Sequence, residues 1–229
     1  MYLGTFFVPG LVLIQICLLF RGQKKRRKKT ASAVAVLMVF ILSCTGCAGI
    51  EPEKRMYPLA MGVDVSEGEY ILTYAMPDLP RATGQGKEEE DGNQTLQVRG
   101  KSFEEIKSRY ERSQEKYLDI GHLQILILSQ DLTETDMWKD FFEYLREEPL
   151  AGENIYVFQT QEPEKLLGWK EGGTSVGEYI TGLMENRMDR EQKNGVTLRQ
   201  VYYQWYQNGT LKKLPKITLS EDQIQVWLE

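Results

Sequence analysis

The chain has 229 residues, 41% hydrophobic, 27% charged and 10% aromatic, with a net charge of −5. That balance excludes a disordered chain and allows one large domain or two small ones. The charge is divided: seven Lys/Arg and no Asp/Glu precede Cys47, whereas 21 Lys/Arg and 33 Asp/Glu follow it. An acidic body of net −12 excludes nucleic-acid binding, which needs a basic footprint. The cysteines are Cys17, Cys44 and Cys47. The body therefore holds neither a disulfide framework nor a cysteine metal site. His122 is the single histidine, so a zinc site or a Ser-His-Asp triad would have to rely on it.

In chain order, residues 1–20 are a first apolar stretch, read either as a membrane helix or as the product of a start codon assigned too far upstream. A basic run follows between Arg21 and Lys29, then a short apolar segment over 31–43. The basic flank faces the cytoplasm by the positive-inside rule. At about 13 residues the apolar segment is short for a spanning helix, which needs roughly 20, and reads as the core of a secretory signal. Ser43 precedes Cys44 and Gly46 precedes Cys47, so the segment resembles the lipobox of bacterial lipoproteins. There a cysteine thiol receives a diacylglycerol and the peptidase cuts just before it. Local pattern favours Cys44, with Ile41-Leu42-Ser43 ahead of it; Cys47 has the better Gly-Cys ending.

The body opens with short apolar character over 55–65 and a β-rich run over 69–76. In the second run Tyr70, Leu72, Tyr74 and Met76 alternate onto one face, and "SEGE" with Gly68 supplies a turn, so a β-hairpin is predicted. Residues 77–94 hold two prolines, three glycines and the acids Glu88 to Asp91, and are expected to form a mobile loop. The acidic run lacks the alternating ligands of a calcium loop. A strand over 94–99 leads to a capping box, Ser102 to Glu105, and a helix to about Lys116. "HLQILILS", residues 122–129, reads as a central strand buried on both faces, with His122 at its head in a structural role. A second helix is expected over 134–147, stopped by Pro149, then a strand over 154–160 and a short helix from Pro163 to Leu167. Helices over 175–188 and 197–206 and two short strands after Pro215 complete the order.

This alternation predicts an α+β body: a mixed sheet with packed helices, preceded by the N-terminal membrane and signal segment. Its two β-α-β steps should cross with the right hand. Gly172 to Gly177 is spaced wrongly for a nucleophile elbow, and Ser175 is expected to cap a helix. Tyr202, Tyr203, Trp205 and Tyr206 read as a helix face docked on the core or on a partner. No catalytic, cofactor or metal residues emerge, and no enzyme is expected.

The order of these features carries a resemblance. "EPEKRMYPLAMGVDVSEGEYILTYAMPDLP" after the lipobox, with Gly62-Val63-Asp64 in its strand, resembles the start of the Ger(x)C spore germination proteins. The likeness continues through "FEEIKSRYERSQEKYLDIGHLQILILSQDL", with Gly121-His122-Leu123-Gln124 before the strand, through "EPEKLLGW", and through "VTLRQVYYQWYQNGTLKKLPKITL" with its Leu214-Pro215 step. It implies domains at 1–47, the hydrophobic segment and lipoprotein signal, and 48–229, the family's N-terminal domain. Members carry a further C-terminal domain where this chain stops, at Glu229. The family spacing between lipidated cysteine and Asp64 fits Cys47, 17 residues away, better than Cys44, 20 away.

The resemblance implies the lipoprotein subunit of a germinant receptor. It would be lipid-anchored on the outer face of the cell or spore inner membrane and would act through contacts with channel-like A-type and transporter-like B-type integral subunits. The competing expectation is an extracytoplasmic solute-binding lipoprotein, which needs a deep pocket with converging polar groups.

Overall fold

The computed structural model of the protein describes residues 37–38, 50–77, 95–169, 174–186 and 195–227. Two units divide the chain, Met1–Ile50 and Glu51–Glu229. In the first, residues 37–38 are helical; Cys44, Cys47 and the first apolar stretch lie outside the described residues, as does the loop expected after Pro77, with Glu88 to Asp91.

The second unit begins with a 3₁₀ turn, Pro52–Lys54, and a two-residue strand β1, Arg55–Met56. The expected hairpin is β2, Ala60–Ser66, against β3, Glu69–Ala75, in antiparallel register from Ser66↔Glu69 to Ala60↔Ala75. Its turn places Glu67 at φ 53° and Gly68 at φ 78°, the double left-handed geometry of a two-residue hairpin turn. Gly68 adopts it at no steric cost. Arg55 and Met56, expected in the hairpin, leave it and pair elsewhere.

Strand β4, Thr95–Gly100, extends the hairpin antiparallel to β3. Helix α1, Phe103–Ser113, follows, capped by Ser102, whose side chain accepts from Glu105 N. The return half of the expected capping box is displaced by one residue. Glu105 Oε2 accepts from Lys101 N at 2.9 Å, not from the cap residue itself. Strand β5, Tyr117–Leu118, pairs parallel with β1, Arg55↔Tyr117 and Met56↔Leu118. A 3₁₀ turn, Ile120–His122, then leads into β6, Ile125–Ser129.

All five residues of β6 are buried, as a continuous apolar run bounded by turns demands. His122, expected at the head of this strand, instead lies in the preceding turn and is exposed. The second expected helix is two: α2, Gln130–Glu134, and α3, Met137–Glu147. The break falls where Thr135 closes α2, its hydroxyl donating to Leu132 O at 3.0 Å. Strand β7, Tyr156–Thr160, and helix α4, Pro163–Leu167, come next. Helix α5, Val176–Glu185, and helix α6, Leu198–Asn208, lead to the terminal hairpin of β8, Lys216–Ser220, and β9, Gln223–Trp227.

The seven long strands form one mixed sheet in the order β4-β3-β2-β6-β7-β8-β9. Its centre, β2-β6-β7, is parallel, and both flanks are antiparallel hairpins. The steps β4-α1-β6 and β6-α3-β7 progress the same way across the sheet with their helices on one face, so they share one hand. Strand β7 is shared: its first half takes the 195–198 segment, with Val157 N donating to Val196 O, and its end meets β8 at Gln159↔Lys216.

Side-chain alternation sorts the core into two layers. Tyr70, Leu72, Tyr74, Leu126 and Leu128 face α1, α3 and α6, which bring Phe103, Ile106, Phe141, Phe142 and Val201. Ala60, Ile125, Ile127 and Phe158 face α4 and α5, with Leu167, Val176 and Ile180. The result is the expected mixed sheet with packed helices, helices covering both faces.

Candidate functional site

The alternation of β3 brings Tyr70, Leu72 and Tyr74 onto the α1/α3 face. At the N-terminal end of α1 the gap between helix and sheet is closed by rings. Phe103 stacks on Tyr144 at 4.5 Å and 9° and tilts against Tyr70 at 4.4 Å. Towards the C-terminal end of α1 the ring packing gives way to a cavity of about 310 Å³. Met61 and Tyr74 contribute from the sheet, Ile106 and Tyr110 from α1, Leu118 from β5, and Tyr144, Leu145 and Glu148 from the end of α3. That volume lies at the lower end of small-molecule sites.

Three tyrosine side chains meet there. Tyr110 Oη donates to Lys116 O at 2.9 Å and lies 3.6 Å from Met56 Sδ. Burial raises the pKa of Tyr144, and the neighbouring Glu148 carboxylate raises it further. Tyr74 is 3% exposed, and burial, then Tyr144, Tyr110 and Glu148, hold its hydroxyl in the neutral form. Among the described residues no hydrogen bond reaches that hydroxyl. Of the charged residues on the lining, Glu148 alone is half-buried; Lys107, Glu111, Glu115 and Lys116 are exposed at the rim.

One wall of the cavity is pinned to the beginning of the body. Arg55 Nη1 donates to Asp119 Oδ2 at 2.6 Å, and Asp119 Oδ1 accepts from Gly121 N at 3.0 Å. Asp119 N donates in turn to Met56 O. Burial pushes the Asp119 pKa up, but the Arg55 guanidinium and the Gly121 amide outweigh it and leave the carboxyl below its ordinary value. Through β1 and β5 this pair fixes residues 55 and 56 beside the cavity lining at 114–118.

The residues singled out from sequence do not converge on this site. His122 sits edge-on to Tyr57 at 5.1 Å. Ser175 caps α5 in a full capping box, its hydroxyl donating to Glu178 Oε2 at 2.9 Å, as expected of a structural serine. The aromatic face of α6 divides. Tyr202 Oη donates to Phe142 O and Trp205 packs edge-on to Trp138 at 5.4 Å, both against α3. Tyr203 remains 69% exposed, and Tyr206 Oη accepts from Arg146 at 2.9 Å. Among the described residues no three His, Cys, Asp or Glu side chains gather as metal ligands, and no helix is long and apolar enough to cross a membrane. The tyrosine cavity was not anticipated. Its one sequence signal on the sheet is Tyr74, a hydroxyl-bearing ring on an otherwise core-facing alternation.

The family described as spore germination protein N-terminal domain matches residues 49–219. The chain belongs to this family. The match begins two residues after Cys47, covers the hairpin, the cavity and the aromatic helix, and ends within β8. The spore germination domain therefore accounts for nearly the whole second unit and ties the chain to spore germination. No curated protein and no solved structure matches the chain.

Proposed function

We propose that this chain is a membrane-tethered, non-enzymatic subunit of a spore germinant receptor, anchored by a lipidated Cys47, with Cys44 as the alternative. The observation that carries the reading is the family match starting at residue 49, immediately behind a lipobox-like segment. The anchor is a lipid, because a single acyl chain binds a bilayer only marginally and a diacylated cysteine binds firmly. The body then works by contact with A-type and B-type integral subunits on the outer face of the membrane.

Chain length limits where the body can stand. Arg55, the first residue held by the Asp119 pair, lies eight residue-to-residue steps beyond Cys47. At about 3.3–3.6 Å per residue they reach at most about 29 Å. A body kept within that distance of the bilayer meets membrane partners at a raised effective concentration.

The test is fractionation of cells making the wild type, Cys47→Ser and Cys44→Ser, with mass spectrometry of the mature N-terminus. Cys47→Ser is expected to release the body from membranes and to lose the acyl mass, and Cys44→Ser to change neither. Full membrane retention of both variants, without acylation in the wild type, would refute the lipid anchor and leave the N-terminal apolar segments as the attachment. The second reading, a solute-binding lipoprotein unrelated to germination, has one observation in its favour, the tyrosine cavity, and the family match against it.

A further inference from the structure

The cavity between α1, β5 and the end of α3 has an apolar body and a polar end. Met61, Ile106 and Leu145 make the first; Tyr74, Tyr110, Tyr144 and Glu148 make the second. The hydrogen-bond inventory of that polar end is lopsided. Tyr110 spends its proton on Lys116 O, and Tyr144 lines the cavity together with the Glu148 carboxylate. What remains is oxygen lone pairs on Tyr110 and Tyr144, the carboxylate, and the Tyr74 hydroxyl, which no hydrogen bond reaches among the described residues. Burying a hydroxyl is costly until it is paired, so a ligand that hydrogen-bonds Tyr74 would gain from that pairing.

We propose that this cavity binds a small primary amine with an apolar body, the ammonium group meeting Glu148 and the tyrosine oxygens. The surplus of acceptors calls for a ligand that donates. Charge decides which donor. Glu148 is the one charged group on the lining that is withdrawn from solvent, and a half-buried carboxylate favours a cation over a neutral hydroxyl. The tyrosine rings add attraction for a cation over their faces. The exposed rim lysines, Lys107 and Lys116, are screened by water and balanced by Glu111 and Glu115. An anion would meet the carboxylate unpaired. This site does not depend on the lipid anchor.

The experiment titrates the full chain, reconstituted in lipid nanodiscs, with 2-phenylethylamine, 2-phenylethanol and 3-phenylpropanoate at pH 7, using empty discs as reference. The expected order of affinity is amine over alcohol by about tenfold, with the carboxylate weakest. Tyr74→Phe should weaken the amine several-fold while leaving the melting temperature unchanged or raised, because a partnerless hydroxyl is removed. Glu148→Gln should bring the amine down to the level of the alcohol. Absence of amine binding, tightest binding of the carboxylate, or an amine affinity indifferent to Glu148→Gln would overturn the proposal. So would a melting temperature lowered by several degrees in Tyr74→Phe, which would mean the hydroxyl is already satisfied. If Tyr74→Phe fails to fold, Glu148→Gln, at a half-exposed position, decides alone. Loss of amine binding with membrane retention intact would sink this site and leave the anchor standing.

Discussion

Replacing Asp119 by alanine tests how the start of the body is held. The substitution removes the acceptor of Arg55 at 2.6 Å and of Gly121 N at 3.0 Å together. Deleting one partner of a buried pair costs about 3–5 kcal/mol when the other charge is stranded. Here the Asp119 side chain is 9% exposed but Arg55 is 29% exposed, so the guanidinium recovers part of its hydration. About 2–3 kcal/mol remains, including the unpaired Gly121 amide. For a domain of this size that lowers Tm by roughly 6–9 °C. Asp119→Asn keeps an acceptor and should cost about half as much. Thermal melting of the full chain gives these numbers, and limited trypsin digestion gives the location. Loss of the pair should open cleavage at Lys54 and Arg55 before the rest of the body yields. The pH dependence follows from the depressed carboxyl. Its contribution is complete above the ordinary aspartate value of about 3.8 and fades as pH falls through the lower folded-state value. Wild type and Asp119→Ala should therefore converge in stability only in strong acid. An alanine variant as stable as the wild type at pH 7, with no new cleavage, would refute the reasoning.

Two glycines of α5 should respond in opposite directions. A Cβ on Gly177 would lie 2.7 Å from Leu59 Cβ and 2.9 Å from its carbonyl carbon, so Gly177→Ala should destabilise by about 1–2 kcal/mol even after the helix-propensity gain. On Gly182 the nearest atom is 3.9 Å away, and Gly182→Ala should stabilise by up to about 1 kcal/mol; urea denaturation of both variants checks the contrast. In alkali, Tyr70 is the residue to watch: burial first, then Asp140, pushes its pKa up to about 12. The folded state holds that proton more tightly than the unfolded chain does. Its contribution is complete below the unfolded value of about 10 and declines as pH rises towards 12. Stability of wild type and Tyr70→Phe measured from pH 9 to 12 should converge across that window; parallel curves would argue against it.

Local pattern made most elements legible. The 2-residue period of Tyr70, Leu72 and Tyr74, the apolar run of β6, the Ser102 and Ser175 caps and the Pro163 start all act within a few residues, and each appears where expected. What was not legible depends on distance along the chain. Nothing near Arg55 announces that it pairs with Asp119, 64 positions later, and leaves the hairpin to do so. Nothing in Ile125–Ser129 says that it inserts beside β2 rather than β4. The terminal hairpin shows the same limit locally. Glu221 and Asp222 take φ 50° and 60° without a glycine, in a turn whose Asp222 carbonyl accepts from Trp169 Nε1 at 2.7 Å. A tertiary contact there supports a backbone that composition would not select. The tyrosine cavity belongs to the same class. It forms where α1, β5 and the end of α3 meet the sheet, a juxtaposition that no local signal encodes.

The start of the body and the cavity meet at Met56 and Leu118. Met56 is paired with Leu118, and Leu118 lines the cavity; the Met56 sulfur lies 3.6 Å from the hydroxyl of Tyr110, which binds the carbonyl of Lys116 on the same wall. The parallel pair β1-β5 is two residues long, too short to be stable by itself. Its position therefore rests on the Arg55–Asp119 pair and on the tyrosine contacts. If a ligand at the polar end prefers one arrangement of that wall, it biases the segment at the start of the body. By reciprocity, whatever loads that segment biases the cavity by the same free energy. Under the proposed receptor reading, the β1-β5 pair is where such a bias would pass between the cavity and the start of the body.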